Sequence, residues 1–205
     1  MPDIAAFIKT QLTLAPAKAV PEIMLYQAHP KSGLTGFLGH DAPPPYWAYG
    51  WAGGNVLARY ILDRASEVAD KLLLDLGTGG GLVAIAAANA GARVLAVDCD
   101  ANAIVAARLN AEANGVALEL LQGDAFDTPF AHVDIITMGD LFYDEVLARQ
   151  ALAFARRAHE RGIKVWIGDP GRKTFPEHNL RKLAEYEVPD FGQATPAPAA
   201  VWTLA

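Results

Sequence analysis

The sequence predicts an α/β fold: a doubly wound, mostly parallel sheet covered by helices on both faces, preceded by a short N-terminal extension. Three observations carry this. Strand-length runs that are apolar without alternation recur along the chain, as in Leu72-Leu73-Leu74 and Val94-Leu95-Ala96-Val97. Helical stretches separate these runs, and glycines such as Gly115 and Gly162 suit the left-handed position just past a helix end. Prolines also break up the first 45 residues, which differ in character from the rest.

In chain order, Asp3 to Leu14 reads as an amphipathic helix with Ile4, Phe7, Ile8 and Leu12 on one face. Pro16 and Pro21 break it, and Glu22 to Tyr26 reads as a short strand. Pro43-Pro44-Pro45 must be extended, because each proline disfavours helix at the residue before it. From Tyr46 an aromatic-rich loop runs into a helix around Gly54–Leu62. The alternation then begins: strand Lys71–Asp75, helix Leu82–Ala90, strand Arg93–Asp98, helix Ala101–Asn114, strands Leu118–Leu121 and Val133–Met138. Helix Asp144–Arg161 and strand Lys164–Gly168 follow. Thr174–Tyr186 is predicted as a last helix, Ala194–Ala200 as a loop and Ala199–Leu204 as a closing strand. This divides the chain into an extension or cap, residues 1–45, and a main domain, residues 46–205.

Composition narrows the function classes. The 205 residues are 52% apolar and 20% charged, enough for one domain with a real core. Net charge is −6 and no run of Lys or Arg exceeds a pair, so nucleic acid is not expected as a partner. The longest apolar stretch, Leu82 to Ala88, is far short of the ~20 residues that span a bilayer. Met1-Pro2-Asp3-Ile4 lacks the flank of a signal peptide, and Cys99 is the only cysteine, so a cytoplasmic location is expected. Cys99 itself is expected as buried packing rather than a nucleophile. His29, His40, His132, His159 and His178 show no zinc spacing, so no metal is expected.

Ligands of such sheets sit beyond the carboxyl ends of the strands, where strand order reverses. After the first strand of the alternation stands Asp75-Leu76-Gly77-Thr78-Gly79-Gly80-Gly81-Leu82. A dinucleotide fingerprint counted from Gly77 and Gly79 needs glycine where Leu82 stands, and no Gly-Lys-Ser/Thr follows as in a P-loop. Asp75, Gly77, Gly79 and Gly81 do match the acidic-x-Gly-x-Gly-x-Gly pattern of S-adenosylmethionine sites. Asp75 suits a cationic sulfonium ligand, directly or through backbone and water. Asp98 closes the next strand, where a carboxylate can accept both ribose hydroxyls, while Asp100 is expected to cap the following helix. Asp124 follows the third strand, where an adenine amino group would lie.

Three stretches resemble those of the seven-strand methyltransferases that modify protein lysines, in particular the electron-transfer flavoprotein β-subunit lysine methyltransferases and their bacterial relatives. They are Tyr46-Trp47-Ala48-Tyr49-Gly50-Trp51-Ala52-Gly53-Gly54, Gly139-Asp140-Leu141-Phe142-Tyr143-Asp144 and Ile167-Gly168-Asp169-Pro170-Gly171-Arg172. The resemblance covers residues 43–175 well and the first 40 loosely. It implies a Rossmann-like class I sheet of seven strands, S-adenosylmethionine as cofactor, and a protein lysine as methyl acceptor. The implied substrate is the β-subunit of electron-transfer flavoprotein, with ribosomal proteins as a further class. It also implies Asp140 and Tyr143 as the acceptor motif and Trp47 and Gly139 as cofactor contacts. Phe142 would wall the acceptor, and Arg172 would meet an acidic feature of the partner.

Methyl transfer to an amine asks for alignment and an uncharged nitrogen. Asp140, at the end of the fourth strand, can orient the amine by a charge-assisted hydrogen bond, and aromatic walls favour a cationic product. Competing readings remain: a small-molecule amine methyltransferase, a methyltransferase for another protein, a nicotinamide enzyme disfavoured by Leu82, and a non-catalytic binding module.

Overall fold

The computed structural model describes residues 3–39 and 41–205; Met1, Pro2 and His40, which entered the targeting and zinc arguments, lie outside the described residues. A first helix, α1 (Ile4–Gln11), is capped by the Asp3 carboxylate on the amides of Ala5 and Ala6. It ends earlier than expected, because Leu12 turns to extended backbone and leads into β1 (Thr13–Ala17). This strand pairs antiparallel with β2 (Val20–Gln27) as a separate hairpin, and a short helix, α2 (Leu34–Leu38), follows.

The chain then forms α3 (Ala52–Leu62), α4 (Ala65–Val68), β3 (Leu72–Leu76), α5 (Leu82–Asn89), β4 (Arg93–Asp98), α6 (Ala101–Ala113) and β5 (Glu119–Gln122). It continues with β6 (Ile135–Gly139), α7 (Glu145–His159), β7 (Lys164–Asp169), β8 (Leu180–Val188) and β9 (Ala197–Leu204). Seven strands form one sheet in the order β5-β4-β3-β6-β7-β9-β8. All pairings are parallel except those of β9, which runs antiparallel to both β7 and β8. Strand order reverses between β3 and β6, so the loops after those two strands meet at the ligand crevice.

Burial explains the strand sequences. Successive residues face opposite sides, and both sides are covered. Leu73, Val94, Ala96 and Ile135 pack on one face with α3 and α5, and Leu74, Leu76, Val97 and Ile136 on the other with α7. Helix α5 is apolar all round and its residues Leu82 to Ala87 are all buried. Helix α7 instead buries a stripe of Ala148, Ala151, Phe154, Ala155 and Ala158, with Asp144 as its N-cap.

Two expectations fail at the C-terminal end. Residues 174–186 do not form a helix; a single 3-10 turn at Glu177–Asn179 leads directly into β8. A bulge is the cause. Lys182 pairs with Trp202 and Ala184 with Val201, which leaves Leu183 as an extra residue. The insertion spaces Leu180, Leu183 and Ala184 as i, i+3, i+4, which imitates a helix face. The stretch 194–200 is likewise not wholly loop, since β9 begins at Ala197 and contains Pro198. Pairing between β7 and β9 stops at Asp169 and Ala200, so at Pro198 the strand has a neighbour on one side only and needs no second donor.

The N-terminal hairpin is tied to α6. Asn110 of α6, 1% exposed, accepts from the Tyr26 amide and donates to the Gly80 carbonyl, each at 2.8 Å. Asn114, one turn on, accepts from the Met24 amide at 2.8 Å and donates to the Met24 carbonyl at 2.7 Å. Among the described residues no helix is long and apolar enough to cross a membrane.

Candidate active site

A cleft of about 880 Å³ lies over the carboxyl ends of β3, β4 and β6. Its floor is the glycine loop. Gly77 and Gly79 have φ of 66° and 53° and both line the cleft, a backbone shape that residues with a Cβ rarely adopt. Gly81, with φ 85°, does not line it. As N-cap of α5, Gly81 lets that helix approach α6, since a Cβ there would lie 3.2 Å from that of Ala107.

Asp75 also lies outside the cleft. It is 2% exposed beneath the loop, accepting at Oδ2 from Thr78 Oγ1 and at Oδ1 from Thr137 Oγ1, both at 2.7 Å. Burial pushes its carboxyl up to about 6. Its part is the indirect one, bracing the loop from behind. Asp98 does face the cleft; its oxygens accept from the amides of Gly79 at 2.8 Å and Asp100 at 2.9 Å. Burial raises its pKa against the pull of those amides. Asp100 caps α6 on the Asn102 amide as expected. Asp124 lines the cleft and accepts from the Phe126 amide at 2.8 Å. Cys99 is a correction. Following the last residue of β4, it leaves the sheet face and is exposed at the cleft. The partial shielding of its sulfur from solvent, and then Asp98, raise its thiol above the usual range, which disfavours the thiolate.

Trp47, on the 3-10 turn Tyr46–Ala48, lines the cleft, and its Nε1 is buried without a hydrogen-bond partner among the described residues. The backbone of this turn lies against the glycine loop, so a Cβ on Gly80 would sit 2.8 Å from the Trp47 carbonyl oxygen.

On the other side of the crevice, Gly139 ends β6 and Asp140 follows at φ 56°. The Asp140 Oδ2 accepts from the Gly54 amide at 2.9 Å, and its Oδ1 from Arg172 Nη2 at 2.6 Å and Nε at 3.2 Å. Burial raises the Asp140 pKa, opposed chiefly by Arg172. Arg172, expected to reach out to a partner, is thus turned inward; its side chain is 23% exposed. The Asp169 Oδ1 accepts from the amides of Gly171 and Arg172, both at 2.7 Å, which fixes this turn; burial pushes the Asp169 carboxyl up to about 6.

Phe142, expected to wall the acceptor, is fully buried and packs on Phe175 in the core. The aromatics at the mouth are instead Tyr143, Tyr46 and Trp51, with ring centroids 5.7 Å and 5.6 Å apart in turn. Phe191 extends this row, 5.2 Å from Trp51. The motif reading missed Asp190, which joins the site from the loop after β8, because nothing in its spacing marks it. Asn110 carried a readable signal, as Asn110 and Asn114 are amides one turn apart on an otherwise apolar helix face.

Among the described residues, the carboxylates of Asp98, Asp100, Asp124 and Asp140 line the cleft against one guanidinium, Arg172. A pyrophosphate would meet repulsion there, whereas a cationic ligand is favoured. The glycine floor, the Asp98 carboxylate at the cleft and the unpartnered Trp47 Nε1 fit S-adenosylmethionine. Among the described residues no group of three or more His, Cys, Asp or Glu could hold a metal ion.

Residues 73–162 match the family model of a methyltransferase domain. The chain is similar to the electron transfer flavoprotein beta subunit lysine methyltransferase of Danio rerio, 42% identical over 157 residues, which is 72% of this chain but only 60% of the relative's length. The protein of the same name from Homo sapiens is 36% identical over 198 residues, 91% of this chain and 75% of the relative. Among solved structures, an RNA methyltransferase from Salinibacter ruber in complex with S-adenosyl-L-homocysteine superposes with TM-score 0.50 at 23% identity, covering 71% of this chain and 90% of that one. That likeness is one of fold alone.

Proposed function

The chain belongs to the family of the electron transfer flavoprotein beta subunit lysine methyltransferases, and from that premise we propose that it is an S-adenosylmethionine-dependent protein lysine N-methyltransferase. The observation that carries the proposal is the sharing of one cleft by two half-sites. Gly77, Gly79 and Asp98 lie on one side of the crevice, and Gly139, Asp140 and Tyr143 on the other. In this reading residues 46–205 are the catalytic domain and residues 1–45 its cap, and the lone cysteine suits a reducing cytoplasm.

S-adenosylmethionine, when bound, supplies an electrophilic methyl group on a sulfonium. Asp98 would accept its ribose hydroxyls, Asp124 would lie toward its adenine, and Trp47, Gly77, Gly79 and Gly139 would cradle it. Tyr46, Trp51 and Tyr143 admit the lysine side chain and exclude water around it. Lysine has a pKa of ~10.4, so it arrives as an ammonium and must lose its proton before transfer. Asp140 orients the amine and stabilises the proton as it leaves toward solvent.

The β-subunit of electron transfer flavoprotein is the substrate this reading favours, as the two relatives are named for it. Calorimetry with S-adenosylmethionine, S-adenosylhomocysteine and NAD tests the cofactor; binding of NAD alone would sink the proposal. Labelled methyl transfer to the purified β-subunit, with ribosomal proteins and small amines as parallel acceptors, tests the substrate. Mass spectrometry then locates the mark, and a label found only on small molecules rejects the protein-lysine reading.

A further inference from the structure

We infer that Asp190 is a positioning residue of the transfer site, the second seat into which the Arg172 guanidinium moves when an acceptor ammonium takes Asp140. The inference rests on the methyl-transfer reading of the cleft. The Asp190 side chain is 7% exposed, and its Oδ1 accepts from the amides of Ala52 and Phe191, both at 3.0 Å. With Asp140 on the Gly54 amide, two carboxylates therefore sit on the first turn of α3, where the positive end of the helix favours both. Arg172 stands between them, its Nη2 2.6 Å from Asp140 Oδ1 and 3.6 Å from Asp190 Oδ1.

The hydrogen bonds of Asp140 pose the problem that Asp190 resolves. Its Oδ2 is taken by the Gly54 amide and its Oδ1 by two nitrogens of Arg172. An ammonium that binds Asp140 at its remaining acceptor site sets a second cation beside Arg172 on one carboxylate, and like-charge repulsion drives the guanidinium away from it. A guanidinium displaced within a half-buried site is costly unless another carboxylate receives it. Asp190 is in place to do so, since its Oδ2 takes no hydrogen bond among the described residues. Nη2 stands 3.6 Å from Oδ1, so a movement on the order of 1 Å brings it into contact with this carboxylate, whose Oδ2 remains to accept. The Trp51 ring, 5.8 Å from the guanidinium carbon, offers an aromatic face beside both positions. The charge balance points the same way. Asp140, Asp169 and Asp190 all act on the one guanidinium, so the cluster is anionic until a second cation arrives.

Asp190→Asn tests this, because it keeps an oxygen for the Ala52 and Phe191 amides and removes the charge. With the full chain and the purified flavoprotein β-subunit as acceptor, the acceptor KM is expected to rise about tenfold while kcat stays within about twofold. Affinity for S-adenosylhomocysteine is expected to be unchanged, and Asp190→Glu to return KM to within about twofold of the wild type. In an Arg172→Ala background the Asp190→Asn change is expected to add nothing, as no guanidinium remains to be received. An unchanged KM in Asp190→Asn, or an equal rise with and without Arg172, overturns the inference. Failure of the wild-type chain to methylate lysine overturns the functional reading, and this inference with it; that result is read on the wild type alone.

Discussion

Gly53 and Asp140 meet backbone to backbone. A Cβ built on Gly53 would lie 2.6 Å from both the amide nitrogen and the Oδ2 of Asp140, and would also collide with the Gly168 carbonyl. Helix α3 can therefore dock on the ends of β6 and β7 only through a bare glycine.

The adjacent glycines should consequently respond in opposite ways. Nothing lies within 4 Å of a Cβ on Gly54, so Gly54→Ala is expected to stabilise the chain by about 0.5–1 kcal/mol through helix propensity. Gly53→Ala is expected to destabilise it by about 1–3 kcal/mol and to lower methyl transfer. Urea unfolding of the two variants checks the sign, and equal effects would contradict the close approach.

Asp140→Asn is the sharpest test of the acceptor half-site. Asparagine tolerates the φ of 56° and can still accept from the Gly54 amide, so the fold should survive. The expected result is S-adenosylhomocysteine affinity within about threefold of the wild type and a fall of about 10²-fold or more in kcat. Retained turnover would remove Asp140 from the chemistry.

The pH dependence of stability should carry the mark of Asp75. Burial raises its folded pKa from 3.8 to about 6, so between those values the folded chain holds a proton that the unfolded chain has released. Its contribution is thus fully present below about pH 3.8 and is lost as pH rises through about 6, by about 1–3 kcal/mol. Asp75→Asn should remove that decline, although Asp169, also near 6, keeps its own. Chemical denaturation at pH 4.5 and pH 7 compares the two proteins; parallel slopes would refute the assignment.

Asn110→Ala leaves the Tyr26 amide and the Gly80 carbonyl without their partner in a buried setting. The expected cost is about 2–4 kcal/mol of stability, together with weaker cofactor binding because Gly80 holds the glycine loop between Gly79 and Gly81. Loss of stability with an unaltered cofactor Kd would show that the glycine loop holds its shape without Asn110.

What the sequence revealed, and what it hid, follows from the range of the interactions. The parallel strands and the glycine loop were legible because each is written in a contiguous run, and Asp98 and Asp140 because strand ends are local. Strand β8 was misread because its bulge at Leu183 gives leucines a helical spacing, and only the pairing with β9 reveals the strand. Phe142 and Cys99 were misplaced because loop residues beyond a strand end keep no fixed alternation. The inward turn of Arg172 and the arrival of Asp190 depend on segments separated in sequence, which no motif encodes.

Among the described residues four carboxylates face one guanidinium along the cleft, and this imbalance bears on turnover. Methyl transfer carries a positive charge from the donor to the acceptor nitrogen, so the spent donor leaves as an uncharged thioether. In the proposed function, acidic walls would hold the charged donor more firmly than that remainder, which would ease product release and limit inhibition by accumulated product. The preference is electrostatic, and raising the ionic strength should narrow the gap between the two affinities.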